Sequence, residues 1–96
     1  MSLAPTEQSL YEILRLLLKI KSNEIGVVPH LITSEKKLRE FIKNPKSKNK
    51  ILSGWRYDVF GSYAELFQQG KLNISYNPTT HNIVINSNTA LLFIIN

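Results

Sequence analysis

The spacing of apolar residues changes once along this chain of 96 residues, at Gly70. Before Gly70 the apolar residues recur at i, i+3 and i+4, which places them on one face of a helix. After it, Leu72, Ile74 and Tyr76 alternate with polar residues. Ile83 and Ile85 then alternate with Asn82, Val84 and Asn86, and both patterns have the period of a β-strand. The intervening Asn77–Thr80 has the composition of a turn. The sequence therefore predicts a mainly α fold, in which a small helical bundle is followed by a C-terminal β-hairpin.

Two helices, each with one apolar face, are predicted in the first half of the chain. The first runs from about residue 6 to residue 22, and Gly26 follows its end. A capping residue, Thr33 or Ser34, starts the second helix, and Pro45 lies beyond its end. The residues of the second helix expected to face inward are Leu38, Phe41 and Ile42.

Short helical segments are predicted between residues 45 and 70. Ile51–Leu52 fits within one helical turn, and Gly54 makes a bend after it. Trp55–Phe60 is expected to form a short helix, and Gly61–Ser62 is expected to separate it from a last helix over Tyr63–Gln69.

The length fits one small domain. Residues 1–5 are interpreted as a vector-derived leader or a disordered tail, residues 6–70 as the bundle, and residues 71–96 as the hairpin and an apolar segment packed on the bundle. That segment, Leu91–Ile95, would be an aggregation liability if nothing covered it. We therefore expect the chain to be a piece of a longer protein.

The chain contains no Cys, so disulfides, thiolate zinc sites and Cys nucleophiles are excluded. An intracellular, cytoplasmic location is the simpler expectation. The N-terminus lacks the pattern of a signal peptide, and no apolar run approaches the roughly 18 residues that would span a bilayer. No membrane partner is predicted.

Positive charge is concentrated in one segment, Glu35–Arg56. Eight Lys or Arg and two Glu give it a local charge of +6, whereas the whole chain carries +5. Such a segment can contact successive phosphates of a nucleic acid. A solvated helix face and a polar loop remain the alternative, because Lys also keeps small domains soluble. The candidate nucleic-acid-binding residues are Lys36, Lys37, Arg39, Lys43, Lys46, Lys48, Lys50 and Arg56.

An aromatic turn closes the basic segment. Trp55 is the only Trp, and we expect it in the core with Phe60 rather than as a platform for bases. Arg56 would either bind phosphate or pair with a nearby carboxylate, Asp58 or Glu65.

Catalytic motifs are not visible. The chain has one Asp and six Glu on separate predicted elements, whereas a two-metal nuclease site needs clustered carboxylates. Neither a P-loop nor a Gly-x-Ser-x-Gly motif occurs. The two His, His30 and His81, lie far apart in sequence. No catalytic residue, cofactor or metal ligand is therefore predicted within this chain.

One set of residues resembles a known family. The pattern comprises Leu10, Leu14 and Arg15, then Gly26–Pro29, Leu31, Ile32, Ser34 and Leu38, and finally Pro45, Ile51–Arg56 and Phe60–Gly61. It is similar to the HRDC domain, the helicase and ribonuclease D C-terminal module, over roughly residues 8 to 70. Gly54-Trp55-Arg56 followed by Phe60-Gly61 looks most like the C-terminal region of ribonuclease D.

The resemblance implies a helical bundle appended to a catalytic domain absent from this chain. In ribonuclease D proteins that domain is a 3′–5′ exoribonuclease, which trims RNAs such as tRNA precursors and holds the divalent metal. This chain would then be a non-catalytic accessory domain that positions RNA, or another single-stranded nucleic acid, for the catalytic domain.

Two other interpretations stay open. The apolar faces of the hairpin and of Leu91–Ile95 could dock on the catalytic domain or on a second copy, which would make this a packing or dimerisation module. Alternatively, the parent could be a RecQ-type DNA helicase, since HRDC domains occur there as well. The sequence does not distinguish RNA from DNA.

Overall fold

The structure is a computed structural model that describes residues 2–87. It divides into two compact units, the first ending at Glu65 and the second beginning at Leu66. The helical elements are α1 Pro5–Ile25, α2 Pro29–Ile32, α3 Glu35–Lys43, a 3₁₀ turn Lys50–Leu52, α4 Gly54–Arg56, a π-helical turn Tyr57–Gly61, and α5 Ser62–Gln68. Two strands follow, β1 Leu72–Asn77 and β2 Asn82–Ser87. The predicted fold class, a mainly helical bundle followed by a β-hairpin, is confirmed.

Helix α1 is framed by local signals at both ends. Pro5 occupies its first position, where a missing N–H costs nothing. The carboxylate of Glu7 accepts a hydrogen bond from the Ala4 N–H at 2.8 Å. Gly26 ends the helix in a left-handed conformation, with φ of 75°. The helix therefore continues to Ile25, three residues beyond the predicted end at residue 22.

Helix α3 begins as the capping signal predicted. Ser34 Oγ accepts a hydrogen bond from the Lys37 N–H at 3.2 Å, which satisfies a free donor of the first turn. All three residues of the predicted inward face are buried: Leu38, Phe41 and Ile42. The opposite face is left to charged side chains.

The core of the first unit is assembled from several elements. Helix α1 contributes Tyr11, Leu14, Leu17 and Leu18, and the inward face of α3 packs with them. Ile32, Ile51, Phe60 and Ala64 complete the set of buried apolar side chains in this unit. Burying these side chains supplies the main favourable term in folding.

The chain from Gly54 to Gln68 is helical without a break, so the predicted separation at Gly61–Ser62 is wrong. A π-helical turn joins α4 directly to α5. Gly61 is buried there, and a Cβ built on it would overlap the carbonyl oxygen of Ile51. Glycine at this position lets the backbone of Ile51 approach the helix closely, and it does not end the helix.

The second unit contains the hairpin. The strands pair antiparallel, with Ile74 opposite Ile85 and Tyr76 opposite Ile83. Asn77 Oδ1 accepts the Thr79 N–H at 2.9 Å and stabilises the turn. This pairing places Ile74, Tyr76, Ile83 and Ile85 on one face, as predicted, whereas Val84 lies opposite Ser75 on the other face.

Among residues 2–87, no helix is both long and apolar enough to cross a membrane. The predicted apolar segment Leu91–Ile95 lies outside the described residues.

Candidate nucleic-acid interface

Three of the predicted binding residues meet at one shallow groove. Lys37 comes from α3, while Lys48 and Lys50 come from the connector that follows it. The groove has a volume of about 400 Å³, and its other lining residues carry no acidic group. The fold thus brings together cations that lie up to 13 positions apart in the sequence.

Asn49 holds the connector against α3. Its Nδ2 donates to the Lys37 carbonyl oxygen at 2.9 Å, and its Oδ1 accepts the Ile51 N–H at 3.2 Å. Lys48 and Lys50 flank Asn49 in the sequence and are therefore carried to the side of Lys37. Asn49 was not among the residues predicted from the sequence, although an Asn before a helical turn is a capping signal.

Four lysines of the basic segment are unengaged, which means that their ammonium groups have no protein partner among the described residues. Lys36, Lys46, Lys48 and Lys50 are exposed, and none makes a side-chain hydrogen bond or ion pair within residues 2–87. Lys37 lies 3.8 Å from Glu40, and both side chains are partly exposed. Such a pair contributes about 0–1 kcal/mol, so the Lys37 ammonium stays available to a phosphate.

Arg39 has a structural role instead. Its guanidinium lies over the Tyr11 ring, 4.8 Å from the centroid, and Arg15 approaches the same ring at 5.7 Å. Tyr11 is only 2% exposed, so the arginine lies against the core. Arg39 is not among the residues that line the groove.

Lys43 is also committed within the fold. Its Nζ lies 2.7 Å from Glu7 Oε1, which links the end of α3 to the start of α1. This hydrogen bond, together with that from the Ala4 N–H, lowers the pKa of Glu7 below its ordinary value. Lys43 is thus a tether between two helices in the structure.

We expect Lys43→Met to raise the pKa of Glu7 toward its ordinary value, as measured by NMR titration of the carboxyl group. Because folding lowers this pKa, the ion pair stabilises the protein above the unfolded-state pKa, and that contribution is lost as the pH falls through the folded-state value. Lys46→Met removes a nearby unengaged cation and should leave Glu7 unchanged. Equal titration curves in all three proteins would contradict the tether.

Trp55 and Arg56 form a pair on the surface. Trp55 is 45% exposed, so its predicted place in the core is wrong. It lies in the first turn of α4, directly after the exposed Ser53 and Gly54, whereas Phe60 is fully buried one turn later. The Arg56 guanidinium lies 4.6 Å from the centroid of the indole ring.

Neither predicted carboxylate partner pairs with Arg56. Its Nε donates to the Leu31 carbonyl oxygen at 3.2 Å. Glu65 instead accepts a hydrogen bond from the Tyr57 hydroxyl at 2.8 Å, and this bond raises the pKa of Tyr57. Arg56 therefore anchors α4 to the end of α2 and fixes the position of its own guanidinium.

A second groove, of about 440 Å³, lies beside α1. It is lined by Glu12 and Glu35 as well as by Arg15 and Lys19, and Arg15 pairs with Glu35 at 3.9 Å. This mixed charge suits a phosphate less well than the groove at Lys37. Within residues 2–87, no three His, Asp or Glu side chains are grouped so that they could hold a metal ion.

Comparisons with known proteins place the chain among relatives. The family model described as "Protein of unknown function (DUF1374)" matches residues 7–90. Ribonuclease D of Bartonella henselae is 34% identical over 68 residues, which cover 70% of this chain and 17% of that protein. Ribonuclease D of Zymomonas mobilis is 34% identical over 64 residues, which cover 67% of this chain and 16% of that protein.

The relationship recurs in a third protein. Ribonuclease D of Sphingobium indicum is 36% identical over 61 residues, covering 64% of this chain and 16% of that protein. The chain thus spans about a sixth of the length of the relatives that it matches. No solved structure matches it.

Proposed function

The chain belongs to the DUF1374 family, and we propose that it is a non-catalytic, nucleic-acid-binding accessory domain of a ribonuclease D-like 3′–5′ exoribonuclease. It would be an HRDC-like module that holds RNA near a catalytic domain elsewhere in the parent protein. Similarity to three proteins named ribonuclease D supports the parentage.

The observation that carries the proposal is the groove formed by Lys37, Lys48 and Lys50. Lys48 and Lys50 are unengaged, and Lys37 is held only by its partly exposed pair with Glu40. Around a groove lined by no acidic residue, these cations provide the electrostatic field that attracts a phosphate backbone. Lys36 and Lys46 lie on the same two elements and extend the field. Arg39, Lys43 and Arg56 would act through the fold rather than through phosphate contacts.

Binding through this groove would be weak and would depend on salt. Each neutralised phosphate of a single strand contributes about −0.7 to the slope of log K against log salt, so three contacts give a slope of about −2. Phosphate contacts position a strand without reading its bases. Linked to a catalytic domain, even weak binding would raise the effective concentration of RNA at the active site.

The experiment is a titration of fluorescently labelled single-stranded RNA followed by anisotropy at several salt concentrations. In low salt we expect Lys48→Glu combined with Lys50→Glu to weaken binding by about 30-fold or more, since each lost contact is worth about 1 kcal/mol. The variant should also have a shallower salt slope.

The matched control is Lys19→Glu combined with Lys71→Glu, which changes the net charge equally at exposed lysines outside the groove. Thermal unfolding of both variants checks that they are folded. Equal losses in the two double variants would mean that net charge, and not the groove, determines the affinity. Unchanged RNA affinity in the Lys48/Lys50 variant would eliminate the groove as the binding site. Tighter binding of the wild-type chain to DNA than to RNA would favour a helicase parent.

A protein-interaction module is the second candidate, because the hairpin exposes an apolar pair. Tyr76 and Ile83 lie directly opposite each other and are 55% and 47% exposed. A partner domain or a second copy could cover them. Sedimentation at increasing concentration, with a dimer forming in a chain that has no RNA affinity, would favour this candidate.

A further inference from the structure

We propose that Trp55 is a stacking platform for an unpaired base of the nucleic acid held in the groove at Lys37. This inference rests on the proposed function and extends it, because it names single-stranded segments as what the site takes. It also assigns Trp55 a role in binding rather than in the core.

The exposure of the Trp55 side chain favours a role in binding. Trp buries more area than any other side chain when it packs in a core, yet nearly half of Trp55 remains exposed. Leu31, whose carbonyl anchors Arg56, is 53% exposed as well. An aromatic surface of this kind beside a cationic groove is the combination by which proteins bind single strands.

Trp55 lies close in the chain to a residue that lines the groove. Ser53 lines the groove, and Trp55 follows it by two residues. Since consecutive Cα atoms are about 3.8 Å apart, the two Cα atoms can be separated by no more than about 7.6 Å. The backbone of Trp55 therefore lies beside the part of the groove that Ser53 lines.

Contacts of Arg56 restrain the orientation of the indole ring. The Arg56 guanidinium lies 4.6 Å from the centroid of the ring, and its Nε is bonded to the Leu31 carbonyl oxygen at 3.2 Å. The bond restrains Arg56 and, through it, the position of the ring. Ordering the platform before binding reduces the entropy lost when a base stacks. Every base offers a π face, so the platform is sequence-tolerant.

The test uses Trp55 itself as the reporter, since it is the only Trp in the chain. Unlabelled ten-nucleotide oligouridylate is titrated into the protein, and Trp emission is recorded beside the anisotropy of a labelled copy. We expect emission to change with the same midpoint as the anisotropy. An abasic oligomer of equal length should bind through its phosphates and leave the emission unchanged.

Variants separate stacking from charge. We expect Trp55→Ala to weaken binding about 5- to 150-fold, the range for losing one stacked base. The salt slope should not change, because no phosphate contact is lost. Trp55→Phe should recover part of the affinity. Tyr76→Ala removes an aromatic ring that is at least as exposed, but from the hairpin, and should have no effect.

Each outcome decides the matter. Binding with no change in emission, or full affinity in Trp55→Ala, would overturn the platform and leave the groove standing. No binding by the wild-type chain at low salt would overturn the proposed function and the platform together. If Trp55→Ala fails to fold, the wild-type emission and the abasic oligomer still decide.

Discussion

Gly61→Ala is expected to lower the free energy of unfolding by about 3 kcal/mol, the upper end of the cost of overpacking a core. The new Cβ would overlap the carbonyl oxygen of Ile51, which belongs to the 3₁₀ turn packed against the π-helical turn. A backbone atom cannot rotate away as a side chain can. One of the two turns must therefore shift, and Phe60 must move with it. Urea unfolding followed by circular dichroism measures the loss.

Whether Gly61→Ala lowers or raises the stability shows whether tertiary packing or helix propensity dominates at this position. In an exposed helix interior, Gly→Ala stabilises by about 1 kcal/mol through propensity alone. Ser62→Ala, the next residue in the same continuous helix, adds no atom and serves as the control. An increase in stability for Gly61→Ala would show that the approach of Ile51 to Gly61 is not present in solution.

Phe41→Ala is expected to cost about 4 kcal/mol, within the range for truncating a fully buried Phe. Phe41 has no exposed surface and belongs to the inward face of α3, the helix that also carries Lys37. The loss is a large part of the roughly 5–15 kcal/mol that stabilises a typical domain. RNA binding should therefore fall at a lower urea concentration than in the wild-type chain, whereas the charge variants should lose affinity without losing stability.

Phe67→Ala is the matched control, because Phe67 is only half-buried and lies in the second unit. It should cost clearly less in the same urea experiment. If the two variants lost equal stability, burial in the first unit would not be what stabilises α3.

Much of the fold could be predicted because its signals are local. Pro5 and Gly26 bound α1, Ser34 caps α3, and the change of period after Gly70 marks the hairpin. Each of these signals depends on residues within a few positions of one another. These signals were therefore enough to predict α1, α3 and the two strands, whereas the short helix α2 was not predicted.

The wrong predictions concern residues whose surroundings depend on parts of the chain that are distant in sequence. Gly61 looked like a break because glycine disfavours helices, but its missing Cβ serves the approach of Ile51. Trp55 was assigned to the core from its spacing with Phe60. Spacing does not show where the core ends, and α4 begins at the surface, with the Arg56 guanidinium over one face of the indole.

The sequence by itself determined the fold class, the inward face of α3 and the concentration of positive charge in Glu35–Arg56. Only the tertiary structure decided which cations are engaged. Lys43 reaches Glu7 across 36 positions, and Arg56 reaches Leu31 across 25. Such partners are not encoded by local spacing, because they meet only after the core has packed. The groove at Lys37 exists for the same reason, since Asn49 joins the connector to α3.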